Sequence, residues 1–528
     1  MKMPLPTSRI ALLTAALCLG GCMVGPDYET PPAAVEDQWQ EAAGVGLTAD
    51  TVDERQWWTT FNDPVLDQLV SMAYAQNLEL KIAGLRVLEA RALRGIAVGE
   101  FFPQVQRLAG GYGVFNTSDE IANPAPDSDF QDFALGADVF WEVDVWGRFR
   151  RGIESADASL YASVMNYDDV LVSLVSEVAA AYVDLRSLDK RLSYARANVE
   201  IQQETFDVVD VRFRNGESTD LDVQQARSNL ANTQSLVPRL QSVRRLTVNR
   251  LCVLLGLTPR NLDELLGETI DVPRPPATVA IGVPAELLRR RPDIRRAERE
   301  AAAQCARIGV AVAQLYPHFA LNGAIGYEAD QIDEMFTGTG FVGSFGPTFY
   351  WDILNYGRIK NAIRVEDARF EQLLIVYQNT VLRAASEVES ASTAYLMSQE
   401  EVRYLQESVD AADRAVGLAL TQYRGGEVDF IRVLDTQTIL ADVQDRLAAR
   451  QRDVAVNLIT LHRALGGGWE IHAGSEYVDD AVLQRMRQRT DWGDVIDPEY
   501  PHREMIKPAE YPRTPPVESP STTNPAGE

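Results

Sequence analysis

The stretch "FALGADVFWEVDVWGR", residues 133–148, decides the architecture. Every odd position from Phe133 to Val145 is apolar: Phe133, Leu135, Ala137, Val139, Trp141, Val143 and Val145. The even positions hold Asp138, Glu142 and Asp144 among Ala134, Gly136 and Phe140. A period of two marks a strand with one apolar and one wet face. Most of the remaining chain reads as very long helices, so this strand needs a reason to exist.

Its neighbours supply one. "QVQRLAGGYGVF" (104–115) precedes it across the polar loop "NTSDEIANPAPDSD", and the pair reads as a β-hairpin. A second hairpin lies downstream. There Phe319, Leu321, Ile325 and Tyr327 alternate with His318, Asn322 and Glu328, and Phe341, Phe345, Phe349, Trp351 and Ile353 alternate with Ser344, Thr348 and Asp352. Strands of about 10 residues suit a tilted membrane crossing. Trp141, Trp146, Tyr350, Trp351 and Tyr356 near the strand ends suit an interfacial girdle. The rival reading is a soluble four-stranded sheet packed on helices. Four strands cannot close, because membrane barrels leave no edge unpaired and the smallest hold eight strands. A membrane reading therefore requires a barrel shared between copies: eight strands from two chains, twelve from three. The odd positions then face lipid and the acidic even positions a watery pore.

The helices repeat. "RFRNGESTDLDV" (212–223) and "QYRGGEVDFIRV" (422–433) share Arg214/Arg424, Gly216/Gly426, Glu217/Glu427 and Val223/Val433 at an offset of 210. The same offset carries "WGR" (146–148) onto "YGR" (356–358) and "LLG" (254–256) onto "ALG" (464–466). Two copies of one unit follow. Each contains heptads: Leu171, Val178, Leu185, Leu192, Val199, Phe206 and Phe213 in the first, Val381, Val388, Tyr395, Val402, Val409, Val416 and Tyr423 in the second. Sustained heptads mean helices packed along a narrow seam. Helices over about 153–213 and 363–423 would each run roughly 90 Å at 1.5 Å per residue. Return helices are predicted over 219–255 and 429–465.

Composition and the N-terminus set the class. The 528 residues hold 50 Lys and Arg against 76 Asp and Glu, a net charge of −26. Such acidity argues against nucleic acid, which needs basic surface. Lys2 and Arg9 precede an apolar run over 10–19 that is too short to span a bilayer but suits a signal peptide. "LGGC" (19–22) resembles the bacterial lipobox, which implies cleavage before Cys22 and its lipidation, and Met23 at the next position implies sorting to the outer membrane. The alternative is an ordinary signal peptide with an incidental cysteine. Residues 1–21 hold two positive charges and no negative ones, so the mature chain carries −28. Cys252 and Cys305 read as small core residues. "GTGFVG" (338–343) opens no βαβ unit, and His318, His462, His472 and His502 are scattered. No catalytic, cofactor-binding or metal-binding residue is predicted, and the chain reads as no enzyme.

Several segments resemble the TolC-like outer-membrane efflux family, in its lipoprotein branch that serves RND multidrug systems. They are "CMVGPDY" (22–28), "WW" (57–58) with "FNDPVLDQLV" (61–70), "ELLRRRPDIRRAE" (286–298) running to "LYP" (315–317), and "GEVDFIRVLDTQ" (426–437). The resemblance implies an α+β fold: a long antiparallel coiled-coil tunnel with four strands contributed to a trimeric 12-stranded transmembrane β-barrel, in two internal repeats. It divides the chain into a signal peptide (1–21), a lipid-anchored segment (22–60), repeat 1 (61–258), an equatorial linker (259–285), repeat 2 (286–468) and a C-terminal segment with a disordered tail (469–528). The implied function is the outer-membrane duct of a tripartite efflux pump, opening at its periplasmic tip to export drugs and toxic compounds. The implied partners are two further copies, a periplasmic membrane-fusion adaptor, an inner-membrane RND-type transporter and outer-membrane lipid. The alternatives are a type I secretion channel and a lipid-anchored periplasmic coiled-coil scaffold.

Residue by residue, the resemblance assigns Asp435 an acidic ring and Ile431 a hydrophobic ring at the periplasmic gate. The two are four apart, hence on one helix face. The plain alternative for Asp435 is a solvated surface charge. Gly216, Asp220, Asp222, Gly426 and Asp429 fall at the tips, where the family meets its adaptor. Gln225 holds the place equivalent to Asp435 in the first repeat.

Overall fold

The computed structural model describes residues 23–496, apart from 33–34, 44–46, 49, 51–53, 119, 121, 123–128, 268, 270, 277, 286–289 and 473–474. Cys22, the signal peptide, His502 and the tail lie outside the described residues. The chain divides into two compact units, Met1–Tyr477 and Val478–Glu528.

In the first unit a short strand β1 (Leu47–Thr48) precedes two helices, α1 (Pro64–Gln76) and α2 (Leu78–Gly99). Asp63 caps α1 by accepting from the Val65 and Leu66 amides, and Pro64 sits at the first helical position, where no donor is missed. Asn77 both ends α1 and caps α2. The first hairpin is β2 (Val105–Asn116) and β3 (Asp129–Val143), followed by the helices α3 (Arg148–Arg214) and α4 (Asp220–Leu254). After β4 (Val279–Ala280), which pairs in parallel with β1, the pattern repeats as α5 (Pro292–Ala313), β5 (His318–Ala329), β6 (Phe341–Tyr350), α6 (Arg358–Arg424) and α7 (Phe430–Ala464). Both ends of α3 and α4 recur 210 residues later in α6 and α7, so the sequence repeat is a structural one. The two longest helices have 67 residues each, about 100 Å. In the second unit lies α8 (Asp480–Arg489), with Leu483 and Met486 buried.

The four long strands form one antiparallel sheet in the order β2-β3-β5-β6. Its register aligns Tyr112 with Phe133, Leu135 with Tyr327, Ala137 with Ile325 and Tyr327 with Phe341, which makes one face apolar. The other face aligns Arg107 with Asp138, Ala324 with Ser344 and Asn322 with Gly346. The alternation is as expected, but the strand limits differ. β3 starts at Asp129, where Asn116 gives it a partner, and ends at Val143 rather than running to residue 148. Gly147 turns the chain at φ 80°, and Asp144 accepts the Phe149 and Arg150 amides at the head of α3. Asp144 is therefore a helix cap and not a pore-facing strand residue. Glu142 is also no open pore charge: it is buried between Arg148 at 2.9 Å and His318 at 2.7 Å. Trp351 and Ile353 lie beyond the end of β6. Trp141, Trp146 and Trp351 donate their indole N–H groups to the carbonyls of Phe101, Pro317 and Leu315, which anchors all three at the helix end of the sheet.

The heptads hold in α6, where Val381, Val388, Tyr395, Val409, Val416 and Tyr423 are buried and Val402, half-buried, packs against the same α6–α7 cluster. In α3 they hold only as far as Leu192. Val199 and Phe206 are half-buried and Phe213 is 41% exposed, while Asn198, Gln202 and Thr205 take the buried places. The reason is contact across the repeats. Asn198 donates to Gln444 and Gln437 donates to Thr205, both at 2.8 Å, so the α3–α7 seam is polar where the α6–α7 seam is apolar. Cys252 and Cys305 are buried free thiols. Among the described residues no helix is long and apolar enough to cross a membrane.

Candidate functional site: the paired helix tips

The loops 215–219 and 425–429 join the long helices to their returns, and both are built on one hydrogen-bond pattern. Gly216 has φ 78° and donates to the Phe213 carbonyl while Glu217 donates to that of Arg212; Gly426, with φ 77°, donates to Tyr423 while Glu427 donates to Gln422. This is a Schellman ending, which needs a left-handed residue after the cap and therefore favours glycine. Open space surrounds the position of a Cβ on Gly216, so backbone conformation alone explains the residue there.

The starts of the return helices differ. Thr219 accepts from the Asp222 amide, and Asp222 accepts from the Thr219 amide at 3.0 Å, a complete capping box. The Ser218 and Thr219 hydroxyls each add a bond of 2.9 Å to Asp222. Partial burial pushes the Asp222 carboxyl up, but these three donors outweigh it and hold the group below its ordinary value. In α7 the cap is Asp429, whose side chain makes no capping bond, and Arg432 stands where Asp222 stands in α4. Asp220 lies in the first turn of α4 and accepts from Gln224 at 3.2 Å.

The tips pack on one another. Val209, Val223 and Ala226 of the first hairpin share a buried cluster with Ala419, Tyr423, Phe430 and Val433 of the second. Arg212 reaches across: its guanidinium lies 4.8 Å from the centre of the Tyr423 ring and donates to the Tyr423 carbonyl. Sequence reasoning missed Arg212 as a contact. Its one signal was asymmetry, since the second repeat has Gln422 there.

Ile431 and Asp435 lie one turn apart on the exposed face of α7, with Ile439 a turn further on; Ile431 is 44% exposed and Ile439 54%. The opposite face, with Phe430, Val433, Gln437 and Leu440, is buried. Asp435 has no cationic partner among the described residues. The equivalent places on α4 hold Leu221, 66% exposed, and the half-buried Gln225.

At the other end of the helices, residues 23–30 lie across α3 and α5. Arg151, 2% exposed, pairs with Asp27 at 2.7 Å and donates to the Val24 carbonyl, and Val24 donates to Trp146 at 3.1 Å. Gly25 crosses Gly309 so closely that a Cβ on Gly25 would stand 2.5 Å from the Gly309 Cα. The three described histidines each meet a carboxylate at 2.7 Å: His318 with Glu142, His462 with Glu54 and His472 with Asp168.

Comparison with known proteins gives one consistent answer. The profile of the family described as "Outer membrane efflux protein" matches residues 69–257 and 283–467. Nodulation protein T of Rhizobium leguminosarum bv. viciae is 31% identical over 463 residues, covering 87% of this chain and 94% of that protein. The pyoverdine export outer membrane protein OpmQ of Pseudomonas putida is 32% identical over 473 residues, covering 88% and 98%. The solved outer-membrane channel OprN has a TM-score of 0.80 at 33% identity over 85% of this chain and all of that one.

Proposed function

Because the chain belongs to the outer membrane efflux protein family, we propose that three copies close a twelve-stranded barrel above a helical tunnel, with Ile431 and Asp435 at its periplasmic gate. The protein is an outer-membrane channel of a tripartite efflux system. One observation carries the assembly: a four-stranded sheet with an apolar face whose edge strands, β2 and β6, have no partner among the described residues. Lipid tolerates no unpaired backbone edge, so closure has to come from other copies.

The gate reading rests on the exposed row of Ile431, Asp435 and Ile439. On a tunnel's inner wall, three symmetry copies of an unpaired carboxylate repel one another or hold a cation, and three isoleucines narrow the bore with apolar bulk. The tips, including Gly216, Asp220, Asp222, Gly426 and Asp429, are the surface for a periplasmic adaptor, which links the duct to an inner-membrane RND-type transporter. Cys22 carries lipid. The seat of residues 23–30 on α3 and α5 supports this, because it brings residue 23 to Trp146 at the helix end of the sheet. Mass measurement in mild detergent is expected to give three times the protomer mass, and a stable monomer overturns the assembly.

A further inference from the structure

A cavity of about 500 Å³ opens in the helical wall between α2, α3, α5 and α6, a volume of the size that takes small organic ligands. Three arginines line it, Arg86 on α2 and Arg296 and Arg307 on α5. Arg296 is engaged, donating to Asn166 at 2.9 Å and to Asp169 at 3.0 Å. Arg86 and Arg307 have no carboxylate partner among the described residues, and both are exposed. Glu300 is the acid of the lining, and Ala162, Ala303 and Leu373 give it an apolar side.

The cavity has a definite side. Glu298, Cys305 and Gly309 of α5 carry the N-terminal segment: Thr30 donates to Glu298, the Cys305 thiol faces the Pro26 carbonyl, and Gly25 crosses Gly309. Arg296, Glu300 and Arg307 lie roughly 160° round the helix from those positions, at about 100° per residue. A segment leading to a lipid-bearing residue 22 must run outside the duct, so the opposite face of α5 looks into the bore. This step rests on the duct reading above.

Carboxylates are plentiful in a chain of charge −26, yet none among the described residues pairs with the two guanidinium groups that line this cavity beside Arg296. A guanidinium is a rigid fork that binds carboxylates in two parallel hydrogen bonds. We propose that this cavity is a binding site for small amphipathic organic anions, taking a carboxylate on Arg86 and Arg307 and an apolar body against Ala162, Ala303 and Leu373. Glu300 opposes the anion, so the site prefers a single charge to several.

The test uses benzoate and benzamide, which share a shape and differ in charge, measured by saturation-transfer NMR on the purified full-length protein in detergent. Benzoate is expected to bind saturably and about tenfold more tightly than benzamide, the worth of one charge-assisted hydrogen bond. Arg86→Gln with Arg307→Gln should bring the two affinities together. Glu300→Gln should tighten benzoate severalfold and leave benzamide unchanged, and it decides the matter should the double variant misfold. Equal binding of both probes by the parent overturns the proposal, as does a benzoate preference that survives the double change or is unmoved by Glu300→Gln. Binding is read without transport or assembly, so its failure leaves the duct reading standing, and the duct reading's failure in the mass measurement leaves this result legible.

Discussion

The two helix tips have one backbone and two chemistries. Their loops lie 210 residues apart, close with the same Schellman bonds and turn on Gly216 and Gly426 at nearly the same φ. The first tip then secures its return helix by itself, through Thr219, Asp222 and Ser218. The second has Asp429 without a capping bond; its Phe430 packs on its own Tyr423 and, in the shared cluster, on Val209, Val223 and Ala226 of the first hairpin, and Arg212 reaches over from α3 to Tyr423. A helix that caps itself stays wound when its neighbour moves. A helix capped by contact frays when the contact goes. The second tip also bears the exposed Ile431 and Asp435, so the residues proposed for the gate stand on the hairpin whose return helix lacks a side-chain cap.

The largest effect should come from the exposed pair. Ile431→Ala with Asp435→Ala removes charge and bulk from one turn of α7; conductance in planar bilayers should rise severalfold and cation selectivity fall, while Gln225→Ala at the equivalent place in the first tip should do little. A double variant that conducts like the parent breaks the comparison and moves the constriction to Asp220 or Asp222. Next, Arg212→Ala removes the cross-contact, a charge-assisted hydrogen bond worth about 1.5–3 kcal/mol. Hydrogen exchange should quicken over the first turns of α7 and leave those of α4 nearly as before. Equal loss at both tips would mean that the first is held from outside as well.

Smaller still, Thr219→Ala should cost the first tip about 1 kcal/mol, the usual worth of a helix cap, against a few tenths for Asp429→Ala. Amide exchange at residues 221–223 and 431–433 reads both. The smallest effect concerns pH. The Asp222 carboxyl titrates below its unfolded value of about 3.9, so its capping contribution is complete above that value and is lost as pH falls through the lower, folded one. Protection of the first turn of α4 should therefore hold down to about pH 4 and decline below it. Asp222→Asn should remove that step, and α7 should give no counterpart.

Much of this was legible in the chain. The offset of 210 predicted both long helices and both returns to within about five residues, because heptads and turn glycines act over one or two helical turns. The alternation over 133–143 identified a two-faced strand, since side-chain direction in a strand depends only on neighbouring residues. Other features escaped, among them these. Asp144 kept the strand's rhythm but caps α3, because Gly147 turns the chain within reach of its carboxylate. Val199, Phe206 and Phe213 kept the heptad rhythm but gave up the seam to Asn198, Gln202 and Thr205, because α7 packs on another face of α3. Arg212 had no rhythm to betray it.

The sequence by itself determined the elements, their duplication, the two-faced sheet and the glycine turns, for each is set by preferences that act between residues a few places apart. Only the tertiary structure decided which strands pair, with β3 against β5 joining the two repeats into one sheet. It also decided which face of α3 is buried, which tip caps itself and where Arg86, Arg296 and Arg307 come together. Those outcomes hang on distances between residues separated by as many as 246 positions. A local pattern carries no measure of such distances; only the packed chain does.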